Sequence, residues 1–297
     1  IKIINFLWKT SKIIMKEVYE FLEKVNNELW KFIDELIRNE KNLFIITKRI
    51  EEKIKELNVD LAFPINICVN EIAAHYTIES EEFLKDGDLV KIDIGIHKDG
   101  YIFDSAKTYS IGKNEENEIL IKAAKEALEE WIKIAKSGTK VYEFGIISEE
   151  IAKKYEIKPV RNLGGHGIGR YKIHIEPTIL NSYNNNKFEL QSGMVIALET
   201  FFTLGNGYVK DSYPSLIFEI QNPEKINLIR DYECRVALKK LYEQRKTLPF
   251  SKSFLNLNKL KADYLIKEAL EKKIIKEYPV LKETNKVSQF ETTVVIK

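Results

Sequence analysis

The sequence predicts a mixed α/β or α+β domain. Three observations lead there: two successive pairs of amphipathic helices, sheet-like segments after each pair, and single acids set inside otherwise apolar strands. Residues 15–38 and roughly 45–57 carry helical periodicity, and Asn58 ends the second helix. The stretch AFPINICVN, residues 62–70, is extended, because Pro64 bars a helix start. A hairpin follows over 89–110, with alternating apolar residues in KIDIGIHKDGYIFD and a turn at Asp99-Gly100. After Gly112 come helices at about 115–136 and 142–155, separated by Ser137-Gly138-Thr139. PVRNLGGHGIGRYKIH, residues 159–174, reads as a strand and a glycine-rich turn, and SGMVIALETFF, 192–202, as a strand holding Glu199. Residues from about 220 to 276 are mostly helical and charged, broken by LPFSKSFLNLN, in the manner of an inserted helical subdomain. VSQFETTVVIK, 287–297, returns to strand and holds Glu291. Helix–helix–sheet thus occurs twice, a repeat in element order alone.

Composition narrows the function classes. At 297 residues and 44% hydrophobic, the chain can fill a real core. A net charge of +2 lacks the basic excess of an electrostatic nucleic-acid binder. No apolar run approaches the ~18–20 residues of a membrane span. The two cysteines, Cys68 and Cys234, form no CxxC motif, which fits a reducing compartment and a cytoplasmic protein. Residues 1–14 precede the first methionine, Met15, and read as an extension with no assigned role. They are too interrupted by Lys and Thr for a signal peptide.

The acids carry the chemistry. With the hairpin centred between Lys98 and Asp99, Asp93 faces Asp104 directly, with Cβ atoms about 4.5–5.5 Å apart. Such a pair is tolerable if exposed, if it shares a proton, or if a cation sits between the carboxylates. Glu199 and Glu291 interrupt two further apolar strands. Four buried carboxylates need compensating positive charge, and divalent metals meet that need best. Of the four histidines, His166 lies in GGHGIG, His174 follows eight residues later, and His75 sits in NEIAAHYT. His97, beside the turn, reads as an ordinary structural residue.

Taken together, AFPINICVNEIAAHYT, KIDIGIHKDGYIFDSA, GGHGIGRYKIH, ALETF and SQFETTVVI resemble the type 2 methionine aminopeptidases. These are the archaeal and eukaryotic class of the pita-bread metallopeptidases, and the resemblance runs from about Met15 to Lys297. It implies a pita-bread catalytic domain over 15–297, with pseudo-two-fold halves and a winged-helix-like helical insert at about 220–280. It implies two divalent ions (Co, Mn, Fe(II) or Zn), since the donor set does not single out one. Asp93 would hold one ion, Asp104 and Glu291 would bridge both, and His166 and Glu199 would complete the shell of the second. A metal-bridged hydroxide would attack the carbonyl of an N-terminal methionine, with Glu199 as proton shuttle. His75 and His174 would bind the substrate and the tetrahedral intermediate. Phe63, Ile173, Phe201 and Tyr278 would line the side-chain pocket.

The implied activity is removal of initiator methionine before a small residue. The implied partner is a nascent chain or peptide beginning with Met, with no membrane and no nucleic acid, and the protein would be a monomer. A prolidase or aminopeptidase P would use the same metal residues. A non-catalytic pita-bread binding protein would have lost them, whereas all five positions are filled here. The AAHYT segment and the insert favour the methionine aminopeptidase.

Overall fold

The computed structural model describes residues 2–297, with side chains from Met15 onward. The expected N-terminal extension, 1–14, therefore lies outside the residues whose side chains are described. The first helix pair is α1 (Lys2–Asn39) and α2 (Leu43–Glu56). The Asn42 side chain accepts from the Phe44 and Ile45 amides and so caps α2. Short strands β1 (Asp60–Leu61), β2 (Asn66–Val69) and β3 (Ile72–Ala74) lead into the hairpin β4 (Leu89–Lys98) and β5 (Tyr101–Ser110). The second pair is α3 (Glu115–Ile134) and α4 (Val141–Tyr155). Asn114 caps α3, and Glu115, Glu116 and Glu118 complement its positive N-terminal end. Strands β6 (Lys158–Pro159), β7 (Gly164–Gly169), β8 (Lys172–Leu180), β9 (Val195–Thr203) and β10 (Lys210–Ile220) follow. Helices α5 (Tyr232–Arg245) and α6 (Lys259–Glu271) then precede β11 (Ile275–Lys282) and β12 (Val287–Val295).

The main sheet is open and runs β1-β4-β5-β12-β9-β7-β8, with β2 added to β4 and β6 to β9. Strand β12 therefore lies between the two halves. One core packs α1 and α2 against the first hairpin, through residues such as Leu29, Ile33, Ile92 and Ile94. Another packs α3 and α4 on the opposite half, through Trp131, Phe144, Ile196 and Leu198. A smaller sheet, β10-β11-β3, borders the main one. Helices α5 and α6 bury Leu238, Leu241, Leu265 and Ile266 in a cluster of their own with Phe218 and Phe250. Among the described residues no helix is long and apolar enough to cross a membrane.

Two sequence expectations need correction. Asp93 does not face Asp104: the partners are Asp93 with Ala106 and Gly95 with Asp104. Asp99 (φ 51°) and Gly100 (φ 83°) both take positive φ, so they are the two central residues of the turn and Lys98 pairs with Tyr101. The two aspartates stay on one face but sit diagonally, each opposite a small residue. The glycine-rich segment is also not a turn. GGHGIG is itself strand β7, and the turn falls at Arg170-Tyr171, where Tyr171 has φ 58°. Its glycines serve close packing: a Cβ on Gly165 would lie 2.3 Å from the Ala197 carbonyl oxygen, and one on Gly167 2.4 Å from that of Glu176.

Candidate metal centre

Five strands adjacent in the sheet each present one candidate ligand. In spatial order they are Asp93 on β4, Asp104 on β5, Glu291 on β12, Glu199 on β9 and His166 on β7. Their ligand atoms form two trios, each within 4.8 Å: Asp104, His166 and Glu291, and Asp93, Glu199 and Glu291. Glu291 belongs to both. Glu199 groups with Asp93, whereas the resemblance placed it with His166. His166 Nε2 lies 3.8 Å from Asp104 Oδ2 and 4.0 Å from Glu291 Oε1.

The electrostatics of this cluster call for a cation. Burial pushes the Asp93 carboxyl up to about 7. Asp104, Glu199 and Glu291 are raised well above the usual carboxylate range, first by burial and then by the charges of neighbouring carboxylates, with Asp93 acting on all three. Among the described residues, no lysine or arginine forms a salt bridge to any of the four. Lys91 and Lys107 share strands with them but turn away. The Lys91 amine donates to the Asn70 carbonyl at 2.7 Å, and that of Lys107 meets Asp34 at 3.0 Å. Among the described residues, Asp93 Oδ1, Asp104 Oδ1 and Glu291 Oε1 are buried with no hydrogen-bond partner. Orphaned acceptors in a buried carboxylate cluster are what a metal pair would satisfy.

The histidine tautomer agrees. His166 Nδ1 lies 3.2 Å from the Gly167 carbonyl oxygen, which can only accept, so Nδ1 carries the proton and Nε2 keeps its lone pair. That lone pair is on the atom nearest the carboxylates. Burial lowers the His166 pKa to about 4, which keeps the ring neutral, as a ligand must be. The residues present therefore fit a dinuclear divalent-metal site.

The cluster lines a cavity of about 520 Å³. His75, His174, Phe63, Ile173, Phe201 and Tyr278 all line the same cavity, so the structure brings every residue singled out in the sequence to one place. His75 has φ 63°, a strained value for a non-glycine residue, and its Nδ1 lies 3.0 Å from the Pro279 carbonyl oxygen. By the same reasoning as for His166, His75 Nε2 is an acceptor. His174 stacks edge-on against His166, with ring centroids 4.3 Å apart, and Tyr278 stands 5.3 Å from His75 and 5.8 Å from His174. Burial lowers the pKa of both His75 and His174, so both rings are neutral.

The sequence reading missed Gln289, whose Nε2 donates to Glu199 Oε1 at 2.7 Å. Gln289 is two residues from Glu291 on β12 and so shares its face, a signal that strand periodicity carried. The reading also missed Ile217 on β10 and Leu281 on β11, which complete the apolar wall. No local pattern marks these two, because the wall is built from a second sheet.

Comparison with known proteins agrees with this geometry. The profile of Metallopeptidase family M24 matches residues 11–227. A methionine aminopeptidase of Archaeoglobus fulgidus is 38% identical over 256 residues, covering 85% of each chain. One of Pyrococcus abyssi is 37% identical over 288 residues, covering 95% of each. Among solved structures, a thermophilic Arx1 matches with a TM-score of 0.76 at 17% identity, covering 94% of this chain and 86% of that one. A methionine aminopeptidase from Rickettsia prowazekii matches with a TM-score of 0.64 at 20% identity, covering 94% of each. These two likenesses are of fold, and the fold is the open α+β pita-bread arrangement. With a five-residue metal-ligand set at its centre and that degree of relatedness to archaeal methionine aminopeptidases, the chain belongs to metallopeptidase family M24 and is a metal-dependent hydrolase of that family.

Proposed function

We propose that this protein is a type 2 methionine aminopeptidase that removes the N-terminal methionine from nascent chains and peptides, preferring a small next residue. The observation that carries the reading is the shared cavity: two acid trios joined by Glu291 line it, together with an apolar wall of Phe63, Ile173, Phe201, Ile217 and Leu281. A thioether side chain matches such a wall, and an N-terminal amine and its carbonyl match the polar groups.

In this reading Asp93, Asp104, His166, Glu199 and Glu291 would hold two divalent ions. Bound there, such ions would supply Lewis-acid polarisation of the scissile carbonyl and a lowered pKa for water at neutral pH. Glu199, its carboxylate fixed by Gln289, would hold a proton taken from water and deliver it to the leaving amine. His75 commits its Nδ1 proton to the Pro279 carbonyl, so its Nε2 accepts a substrate N–H. His174, neutral and packed on His166, donates to the developing oxyanion. Tyr278 closes the apolar pocket.

The type 2 assignment is supported by the helical segment between β10 and β11, which we take as an insert of about 220–280 in a catalytic domain of 15–297. Two free, buried cysteines fit a cytoplasmic enzyme, and we take it to act as a monomer.

The test is amino-acid release by chelator-stripped protein, titrated with Mn(II), Fe(II) or Co(II). Met-Ala-Ser is the substrate, beside Ala-Pro-Ser and Gly-Pro. Methionine release that returns with metal is the expected result. Release from the proline substrates alone would move the protein to the prolidases, and release from none, with no metal bound, would sink the enzymatic reading.

A further inference from the structure

The pairing of β5 with β12 is unusual at the point where the two strands present Asp104 and Glu291. Their backbone register is Glu291 with Ala106 and Thr292 with Ser105. One position beyond this short run at one end, and two positions beyond it at the other, side chains take over from the ladder. The Asp104 amide donates to Thr293 Oγ1 at 2.7 Å, and that hydroxyl donates onward to the Asp104 carbonyl at 2.9 Å. At the other end the Gln289 amide donates to Thr108 Oγ1 at 2.8 Å, and that hydroxyl donates to the Gln289 carbonyl at 2.6 Å.

The two arrangements mirror each other. Along one face, β5 places Asp104, Ala106 and Thr108, and β12 places Gln289, Glu291 and Thr293, running oppositely. Each threonine thus stands across from a residue of the centre and satisfies both of its backbone groups. A direct ladder would draw the strands to about 4.7–4.9 Å. At these two points a threonine hydroxyl takes the place of the direct backbone bonds, beside the strand positions that carry Asp104 and Glu291. All four groups are buried, with Thr108 at 4% and Thr293 at 6% exposure, so no solvent competes for the hydroxyls.

We propose that Thr108 and Thr293 are positioning residues whose hydroxyls set the β5–β12 separation and thereby the geometry of the metal centre. Thr293 acts through Asp104. Thr108 acts through Gln289, which in turn holds Glu199. The inference rests on the two-metal reading above. The chemistry requires a β-branched side chain carrying a hydroxyl: valine copies the shape without the hydrogen bonds, and serine keeps the hydroxyl.

The test is Co(II) binding to chelator-stripped protein, followed by calorimetry and by the visible d–d spectrum, for wild type and for Thr293→Val, Thr293→Ser, Thr108→Val and Thr108→Ser. Thermal unfolding confirms that each variant is folded. Thr293→Val should weaken Co(II) binding by about 10–100-fold and alter the spectrum, while Thr293→Ser restores both. Thr108→Val should show a smaller change of the same kind. A folded Thr293→Val with wild-type affinity and spectrum would overturn the proposal. Should that variant not fold, Thr108→Val decides on the same two readouts, because its hydroxyl meets no ligand residue directly. Wild-type protein that takes up no Co(II) would defeat the metal-centre reading itself. Wild type that takes up two ions, matched by both valine variants, would overturn the threonine inference alone.

Discussion

Glu283 and Glu291 are eight residues apart, are equally buried at 6% and 5% exposure, and behave in opposite ways. Glu283 is surrounded by donors. Its Oε1 accepts from the Asn206 and Gly207 amides, and its Oε2 from the Asn285 amide and the Thr284 hydroxyl. Burial alone would raise its pKa, but those backbone amides and that hydroxyl outweigh it and hold the carboxyl below the usual range. Glu291 has an orphaned Oε1, and its neighbours are carboxylates, so its pKa goes up. A buried acid is therefore not a site by virtue of burial. Glu283 is a structural anion that organises the loop after β9, whereas Glu291 is an acceptor left for something the chain itself does not supply.

The comparison can be broken at several strengths. Glu291→Ala has the largest expected effect: loss of metal and a fall in methionine release on the order of 10³-fold or more, since several kcal/mol of transition-state stabilisation depends on the ions. Elemental analysis and a release assay check it, and a fully active variant would end the two-metal reading. His174→Ala should lower kcat by about 10²-fold while metal content stays at the wild-type level.

Next comes a difference of sign in stability. Glu283→Gln turns an acceptor of several N–H and O–H bonds into a poorer one and should cost about 2–3 kcal/mol in chemical denaturation. Glu291→Gln in metal-free protein removes one of four crowded negative charges and should be neutral or stabilising. Equal destabilisation by both would erase the distinction. The smallest effect concerns acid. Because Glu283 has a lower pKa folded than unfolded, its contribution is complete above the unfolded value. It is lost as pH falls through the folded one. Glu283→Gln should therefore flatten the acid limb of the stability profile, measured as unfolding midpoint against pH.

Much of this was legible in the sequence, for identifiable reasons. The acids in KIDIGIHKDGYIFD, MVIALETFF and SQFETTVVI stand out because a strand's apolar run makes one carboxylate conspicuous. The hairpin register was misjudged by one residue per strand because Asp-Gly was treated as straddling the turn's edge, when both residues occupy its centre. GGHGIG was read as a turn because glycine usually marks one, yet at Gly165 and Gly167 the absent Cβ admits neighbouring backbone. Glu283 is not marked by the sequence, because much of its donor shell comes from residues 203–208, far away in sequence, and only the fold brings them to it. The same holds for Ile217 and Leu281.

The place of β12 has a consequence for how the molecule comes into being. In chain order it follows every other strand, yet in the sheet it is the middle one, hydrogen-bonded to β5 on one side and β9 on the other. Within the main sheet the halves share no strand until residues 287–295 are available, and contacts such as Glu291 with Asp93 span most of the chain. Closing such long loops is slow, so assembly of the sheet is expected to be the late step of folding. During synthesis the protein is then inert by construction. Its candidate ligand set is complete only when the middle of the sheet arrives, so metal uptake is expected to mark the end of folding rather than its beginning.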